Sequence, residues 1–277
     1  LQISAFRGVG KSWITAAFVL WVLFNDPEKK VMVISASKER ADSFSIFCQK
    51  LIIDIKWLNF LGPKDNDQRW SRVSFDVGPA KPHHAPSVKS VGITGQMTGS
   101  RAHLMVFDDV EVPANSATDM QREKLLQLVT EGESILTPDD DSRILFLGTP
   151  QSTFTIYRKL AERSYRPFVW PARYPKSLAG YEGLLAPQLV EDIEKGVERG
   201  TPTDTRFSDL DLMEREAAMG RSNFQLQFML DTSLSDAEKF PLKFADLIVT
   251  SLGGECAERY AWSSDPRYMI KTLNPVG

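Results

Sequence analysis

Short apolar runs alternate along this chain with helix-length segments. The predicted order is a strand over 1–6, a glycine-containing loop, a helix near 11–24, a strand at Val31–Ser35, a helix near Lys38–Ile55, and a long irregular stretch to about Ser100. Apolar strands of this kind, each followed by a helix, are the pattern of a doubly wound, mostly parallel α/β sheet, because a strand buried on both faces needs no polar alternation. Two further continuous runs, His103–Phe107 and Arg143–Leu147, extend that sheet. In the first helix Ile14, Phe18, Trp21 and Val22 fall close to one face and are expected to form its core side. Ser37 stands where a cap for the second helix is needed.

Less regular patterns fill the rest. Phe75–Arg101 mixes short apolar alternations such as Val88 to Ile93 with Lys81, Lys89, Gly92, Gly95, Gly99 and Arg101, and is expected to form a hairpin and a flexible loop. Basic and glycine residues in a long loop suit a phosphate backbone, and an ordinary structural loop fits them equally well. After Gln151 come a helix near Ile156–Glu162, a strand at Phe168–Pro171 and a proline-punctuated stretch to about Arg206. Helical patterns resume at Leu210–Met219 and Asn223–Leu230, and polar residues break the periodicity over Asp231–Pro241. The division expected is a core over 1–205, a helical lid over 206–232 and a linker over 233–277.

Composition narrows the classes. A chain of 277 residues, 42% of them hydrophobic, can bury a sizeable core. The formal net charge of −3 gives no whole-chain footprint of a nucleic-acid binder, so any DNA contact must be local. Cys48 and Cys256 lack the spacing of a zinc site or a disulfide framework. His83 and His84, between Pro82 and Pro86, read as a solvated pair. The run Ile14 to Phe24 is too short to span a bilayer, and the expectation is a soluble intracellular protein. Leu1 already lies in the first strand and Asn274–Gly277 closes a polar tail, so a fragment of a longer chain is expected.

The chemistry concentrates at the ends of three strands. Ala5-Phe6-Arg7-Gly8-Val9-Gly10-Lys11-Ser12 reads as a phosphate-binding loop. In such a loop consecutive backbone N–H groups converge on phosphate oxygens, the lysine reaches the β- and γ-phosphates, and the following hydroxyl ligates Mg²⁺. Ala5 stands where the strict pattern has its first glycine, and alone the segment also fits a plain strand-to-helix turn. The second motif runs the strand His103–Phe107 into Asp108, Asp109 and Glu111. Asp108, first after the run, is placed to hold Mg²⁺, which takes few protein carboxylates and keeps several waters. Asp109 then stands in the position of a water-activating acid, with Glu111 as the runner-up. The third strand ends in Gly148, Thr149 and Pro150, where the loss of a γ-phosphate is sensed in DNA-dependent ATPases.

Three motifs in this order, AFRGVGKS, FDD-V-E and LGTPQ, resemble the large terminase subunit of tailed double-stranded-DNA phages. The longer stretches VISASKERADS, FDVGPAKPHHAPSVKSVGITGQMTGSRA and NFQLQFMLDTSLSDAEKFPL are similar to terminases of short-tailed, autographivirus-type phages. The resemblance implies a RecA-like P-loop ATPase of the ASCE type with a helical lid. It also implies ATP and Mg²⁺ as cofactors, and double-stranded DNA, the portal of a procapsid and the small terminase subunit as partners. It further implies a homo-oligomeric ring, a pentamer in the family, working in the host cytoplasm while docked on the portal. By the same resemblance Arg7 touches the γ-phosphate from within the subunit, Arg101 acts as an arginine finger on the neighbour's ATP, and Gly148, Thr149 and Pro150 form the coupling motif. The family reads adenine with a glutamine upstream of the phosphate loop, a region outside this chain. It also carries a ribonuclease-H-like nuclease; Asp265 is read here as a loop residue, and the nuclease is expected beyond residue 277.

Two other functions use the same motifs. A helicase- or restriction-type translocase shares the nucleotide site and carries a second RecA-like domain downstream. A non-hydrolysing DNA or portal adaptor has only the Asp109-for-glutamate replacement in its favour.

Overall fold

A computed structural model describes residues 1–231 apart from 96, 98, 152, 153, 164, 179 and 182. Contacts divide the chain into Leu1–Ser235 and Asp236–Gly277. The linker expected over 233–277 and the reading of Asp265 lie outside the described residues.

The elements in chain order are β1 (Gln2–Ala5), α1 (Lys11–Asn25), β2 (Val31–Ser35), α2 (Lys38–Asp54), β3 (Ser74–Phe75) and β4 (Val88–Gly92). Next come β5 (Leu104–Asp108), α3 (Pro113–Ser116), α4 (Asp119–Glu133), β6 (Arg143–Gly148) and α5 (Ile156–Glu162). The last described are β7 (Pro167–Trp170), α6 (Pro187–Glu194), α7 (Asp209–Met219) and α8 (Arg221–Phe224), which runs on through a π-helical turn at Gln225–Met229.

Seven strands form one sheet in the order β3-β4-β2-β5-β6-β1-β7. Every named pairing is parallel except β3 with β4. This is the doubly wound, mostly parallel α/β arrangement expected, with β6 inserted between the strand of the phosphate loop and the strand that ends in acids. The register fixes which strand ends meet. Ser4 lies opposite Gly148, and Asp108 opposite Leu147. Ala5, Asp108 and Thr149 therefore reach the same edge of the sheet.

Strand alternation sorts the core into two faces. On one, Val31 and Val33 of β2, Leu104 and Val106 of β5, and Leu145 and Leu147 of β6 pack with α1 and α2. On the other, Met105, Phe107 and Phe146 pack with Leu125 and Val129 of α4 and with Ile156, Tyr157 and Leu160 of α5. Phe107 and Phe146 stack with ring centroids 4.6 Å apart. By the same alternation Asp108 and Thr149 belong to the α1 side, where the phosphate loop leads.

Three details differ from expectation. The core side of α1 is Ala16, Val19, Leu20 and Leu23, all buried, whereas Ile14, Phe18 and Trp21 are 65%, 38% and 60% exposed. Both sets are spaced as helical stripes. The run is apolar nearly all round, so periodicity contains no polar face that would choose between them. Val22, the fourth residue of the expected stripe, is partly buried against the first core. The second difference is β4. Val88–Gly92 forms a hairpin-like antiparallel pair with β3, as the alternation suggested, but it also pairs in parallel with β2 as an inner strand. Third, α4 and α6 lie in segments that the hydropathy pattern left unassigned. The start of α4 does have a local signal, since the Thr118 hydroxyl accepts from the Gln121 N–H while the Gln121 side chain accepts from the Thr118 N–H.

Candidate nucleotide site

The phosphate loop turns on its two glycines. Gly8 and Gly10 sit at φ +96° and +89°, a left-handed region that residues with a Cβ rarely adopt. Ala5 by contrast closes β1, paired with Trp170 of β7, and needs no such freedom. The departure from the strict glycine pattern thus falls on a strand residue. Gly10 caps α1 without a side-chain hydrogen bond; Trp13 N–H donates to the Gly10 carbonyl at 3.0 Å, and the Lys11 and Ser12 N–H groups are left open to an external acceptor.

Lys11 bends back over the loop. Its Nζ donates to the Ala5 carbonyl at 3.1 Å and to the Thr149 hydroxyl at 2.9 Å. The Thr149 hydroxyl in turn donates to the Ala5 carbonyl at 3.0 Å. Burial lowers the pKa of Lys11, and the charges of Asp109 and then Asp108 oppose that shift. Both acids therefore stand close enough to act on the ammonium. This cluster joins β1, β5 and β6 at one strand edge, where parallel α/β sheets bind their ligands.

Asp108 is buried, and its pKa is pushed up to about 6, first by burial and then by the charge of Asp109. The nearby Ser12 hydroxyl acts against that rise, while Oδ1 is buried with no partner among the described residues. An orphaned carboxylate oxygen beside a hydroxyl suits a hard divalent cation that completes its shell with phosphate and water. No group of three or more His, Cys, Asp or Glu able to hold a metal occurs among the described residues. A Mg²⁺ ion held by Ser12, Asp108 and a nucleotide needs none.

Asp109 and Glu111 differ sharply in what surrounds them. Asp109 is partly exposed, takes φ +45°, and donates its N–H to the Leu147 carbonyl at 2.9 Å. Aspartate tolerates that left-handed conformation better than most residues, and here it takes the chain out of β5 directly at the cluster. Glu111 is buried, and its oxygens accept from Thr155 Oγ1 at 2.7 Å, Ile156 N at 2.7 Å and Gln151 N at 3.2 Å. Burial raises its pKa, and these three donors act against the rise. Glu111 thus ties the exit of β5 to the loop that leaves β6 and to the start of α5.

The coupling segment is fixed by packing as well. A Cβ on Gly148 would lie 1.8 Å from the Tyr157 hydroxyl, so only glycine lets α5 approach the end of β6. Thr149 and Pro150 follow, both buried.

Two arginines stand elsewhere. The Arg7 guanidinium leaves the loop and donates from Nη1 to Gln227 Oε1 at 3.0 Å, beside the backbone bond from Arg7 N to the Gln227 carbonyl at 3.2 Å. Arg101 donates from Nη1 to the Ser134 carbonyl at 3.1 Å, at the opposite end of β5 from Asp108. The strand is five residues long, on the order of 13 Å from its first residue to its last, and Arg101 lies beyond its start, so Arg101 is not brought to Lys11 within one chain.

The residues missed in the sequence are Arg206, Phe207 and Gln227. Arg206 Nη2 donates to the Val9 carbonyl at 2.6 Å, and Phe207 meets Phe6 edge-on with centroids 5.3 Å apart. No motif marks Arg206 or Phe207, Gln227 lies in the stretch NFQLQFMLDTSLSDAEKFPL without a role assigned to it, and only the tertiary fold brings the three to the loop.

No protein-family model matches the chain. The large terminase subunit of Enterobacteria phage T3 is 50% identical over 283 residues, covering 99% of this chain and 48% of that protein. In sequence, this chain is similar to about half of a phage large terminase subunit. It spans about half the length of that curated relative. Among solved structures, the large terminase ATPase domain of Thermus phage P74-26 shares 14% identity over 83% of this chain and 88% of that one, with a TM-score of 0.45. The large terminase from a thermophilic bacteriophage, in complex with ADP, shares 10% identity over 82% of this chain and 46% of that one, with a TM-score of 0.42.

Proposed function

We propose that this chain is the ATP-hydrolysing motor region of a viral large terminase subunit, acting to move double-stranded DNA into a procapsid. The observation that carries this reading is the convergence of Lys11, Asp108, Asp109 and Thr149 at one strand edge, directly over an uncapped helix N-terminus. The 50% identity to the T3 subunit supports the packaging context.

In this reading Lys11 leaves Thr149 to take phosphate oxygens, while the N–H groups from Gly8 to Ser12 line the phosphate chain. Ser12 and Asp108 hold Mg²⁺, which supplies charge neutralisation on the phosphates. Asp109, partly exposed beside Lys11, orients and deprotonates the attacking water. Glu111 is a positioning residue, because both its oxygens are already occupied by the 151–156 segment. Gly148, Thr149 and Pro150 pass the change at Lys11 to that segment. Arg101 completes the site of a neighbouring subunit in a ring, a pentamer by family resemblance, and Arg7 shifts between Gln227 and the γ-phosphate.

The core over 1–205 and the lid over 206–232 are the working parts. DNA, the portal and the small terminase subunit are the partners, met in the host cytoplasm at the procapsid. Among the described residues no helix is long and apolar enough to cross a membrane. Endonuclease activity is proposed for the full-length protein.

The test is ATP hydrolysis by the full-length protein against protein concentration, with linear duplex DNA, for wild type, Lys11→Ala and Arg101→Ala. The expected result is a per-subunit rate that climbs with concentration, vanishes with Lys11→Ala and returns partly when the two variants are mixed. A flat rate that ignores Arg101→Ala would point instead to a monomeric translocase.

A further inference from the structure

The phosphate loop is also held by residues outside every motif. Asp204 and Arg206 precede α7, and their side chains form a tight pair: Arg206 Nε donates to Asp204 Oδ1 at 3.0 Å and Oδ2 at 3.1 Å, and Nη2 donates to Oδ2 at 2.5 Å. The same Nη2 reaches the Val9 carbonyl of the loop at 2.6 Å. The Asp204 carboxylate is only 13% exposed and anchors the pair, whereas the Arg206 side chain is 59% exposed.

Two glycines of the loop face this segment. A Cβ on Gly8 would lie 3.2 Å from the Phe207 ring, and one on Gly10 would lie 3.6 Å from Arg206 Nη1. That Nη1 has no hydrogen-bond partner among the described residues, although the other two guanidinium nitrogens have theirs. A guanidinium stays charged at any working pH and its fork matches phosphate oxygens.

We propose that Arg206 is a nucleotide-contacting residue contributed from the lid side, its free Nη1 donating to the phosphate chain while Nη2 stays on the Val9 carbonyl. Asp204 holds the guanidinium at the loop before the nucleotide arrives, which reduces the ordering needed on binding. The proposal rests on the nucleotide site described above and adds a residue to it. Its consequence is that occupancy of the loop is felt directly by the chain entering α7, in addition to the Arg7–Gln227 contact.

The experiment is thermal unfolding and binding titration of the full-length protein with MgADP, for wild type, Arg206→Ala, Arg206→Lys and Asp204→Asn, with Lys11→Ala as control. Arg206→Ala is expected to weaken MgADP about 10- to 100-fold, the range for losing a charged hydrogen bond. Arg206→Lys should fall between the two, since it keeps the charge and loses the fork. Asp204→Asn should bind within a few-fold of wild type. A merely structural Arg206 predicts a lower midpoint without nucleotide and an unchanged MgADP affinity; that outcome overturns the proposal. If Arg206→Ala does not fold, wild-type affinity in Arg206→Lys overturns it equally. Wild type that does not respond to MgADP overturns the nucleotide site itself, and Arg206 with it.

Discussion

Two carboxylates three residues apart at the end of β5 have opposite surroundings. Asp108 is buried with one oxygen unpartnered and its pKa pushed up to about 6, while Glu111 is buried with three donors on its oxygens. Burial disfavours charge at both, yet only Glu111 has the hydrogen bonds that offset it within the protein. Asp108 keeps an oxygen without a partner, which suits the cation proposed there, whereas both oxygens of Glu111 are taken up within the protein. The difference separates a binding carboxylate from a positioning one on physical grounds, where the sequence shows only acids in a row. It also turns attention to Asp109, the one acid of the three that is partly open and not held by such donors.

The largest effect that tests this division is on turnover. Asp109→Asn should reduce ATP hydrolysis by about 10²–10⁴, the range for removing a general base, with MgATP binding retained. Glu111→Gln should cost less than about tenfold, because a carboxamide keeps one acceptor for the 151–156 segment. Steady-state hydrolysis and nucleotide titration on both variants decide it; equal losses would show that the buried glutamate takes part in chemistry.

Stability discriminates next. Glu111→Ala removes the acceptor for the Thr155 hydroxyl and two backbone N–H groups in a dry site, and should destabilise by about 2–4 kcal/mol. Denaturant unfolding without nucleotide measures it. A loss under about 0.5 kcal/mol would mean that water replaces the carboxylate and that the latch is weak.

Little of this contrast between the acids is written in the sequence, although much of the fold is. The strands, and the meeting of Ala5, Asp108 and Thr149 at one sheet edge, are legible because buried parallel strands are continuous apolar runs and their ends mark where chemistry can sit. The buried stripe of α1 is not legible, because Ile14, Phe18 and Trp21 are as apolar and as evenly spaced as Ala16, Val19, Leu20 and Leu23. The separate natures of Asp109 and Glu111 are not legible at all. They depend on the φ of one residue and on donors 40 or more positions away, which no local pattern encodes.

The smaller effect expected at Asp108 has a definite sign. Its folded pKa lies above the ordinary carboxylate value of 3.8, so its contribution to stability is fully present below that value and is lost as pH rises through about 6. Asp108→Asn does not titrate and loses nothing over the same range. Without nucleotide the variant should match wild type near pH 4 and exceed it above pH 6, by on the order of 1–3 kcal/mol, while failing to hydrolyse ATP. Thermal midpoints across pH 4–8 test this. A variant less stable than wild type at pH 7 would mean that Asp108 already has a satisfied partner, and the contrast with Glu111 would collapse.

The smallest effect concerns the lysine at rest. Thr149→Val keeps the shape of the residue and removes the hydroxyl that accepts from Lys11 and donates to Ala5. Losing the pair should cost about 1 kcal/mol of stability without nucleotide, less any relief from dehydrating one hydroxyl fewer. Nucleotide binding should respond in the other direction. Lys11 no longer has to leave a partner to reach phosphate, so MgADP should bind equally well or up to a few-fold tighter, even as turnover falls through lost coupling. Isothermal titration separates the two. Weaker MgADP binding in Thr149→Val would mean that the hydroxyl itself takes part in holding the nucleotide, and that the contact with Lys11 belongs to the loaded site rather than to the resting one.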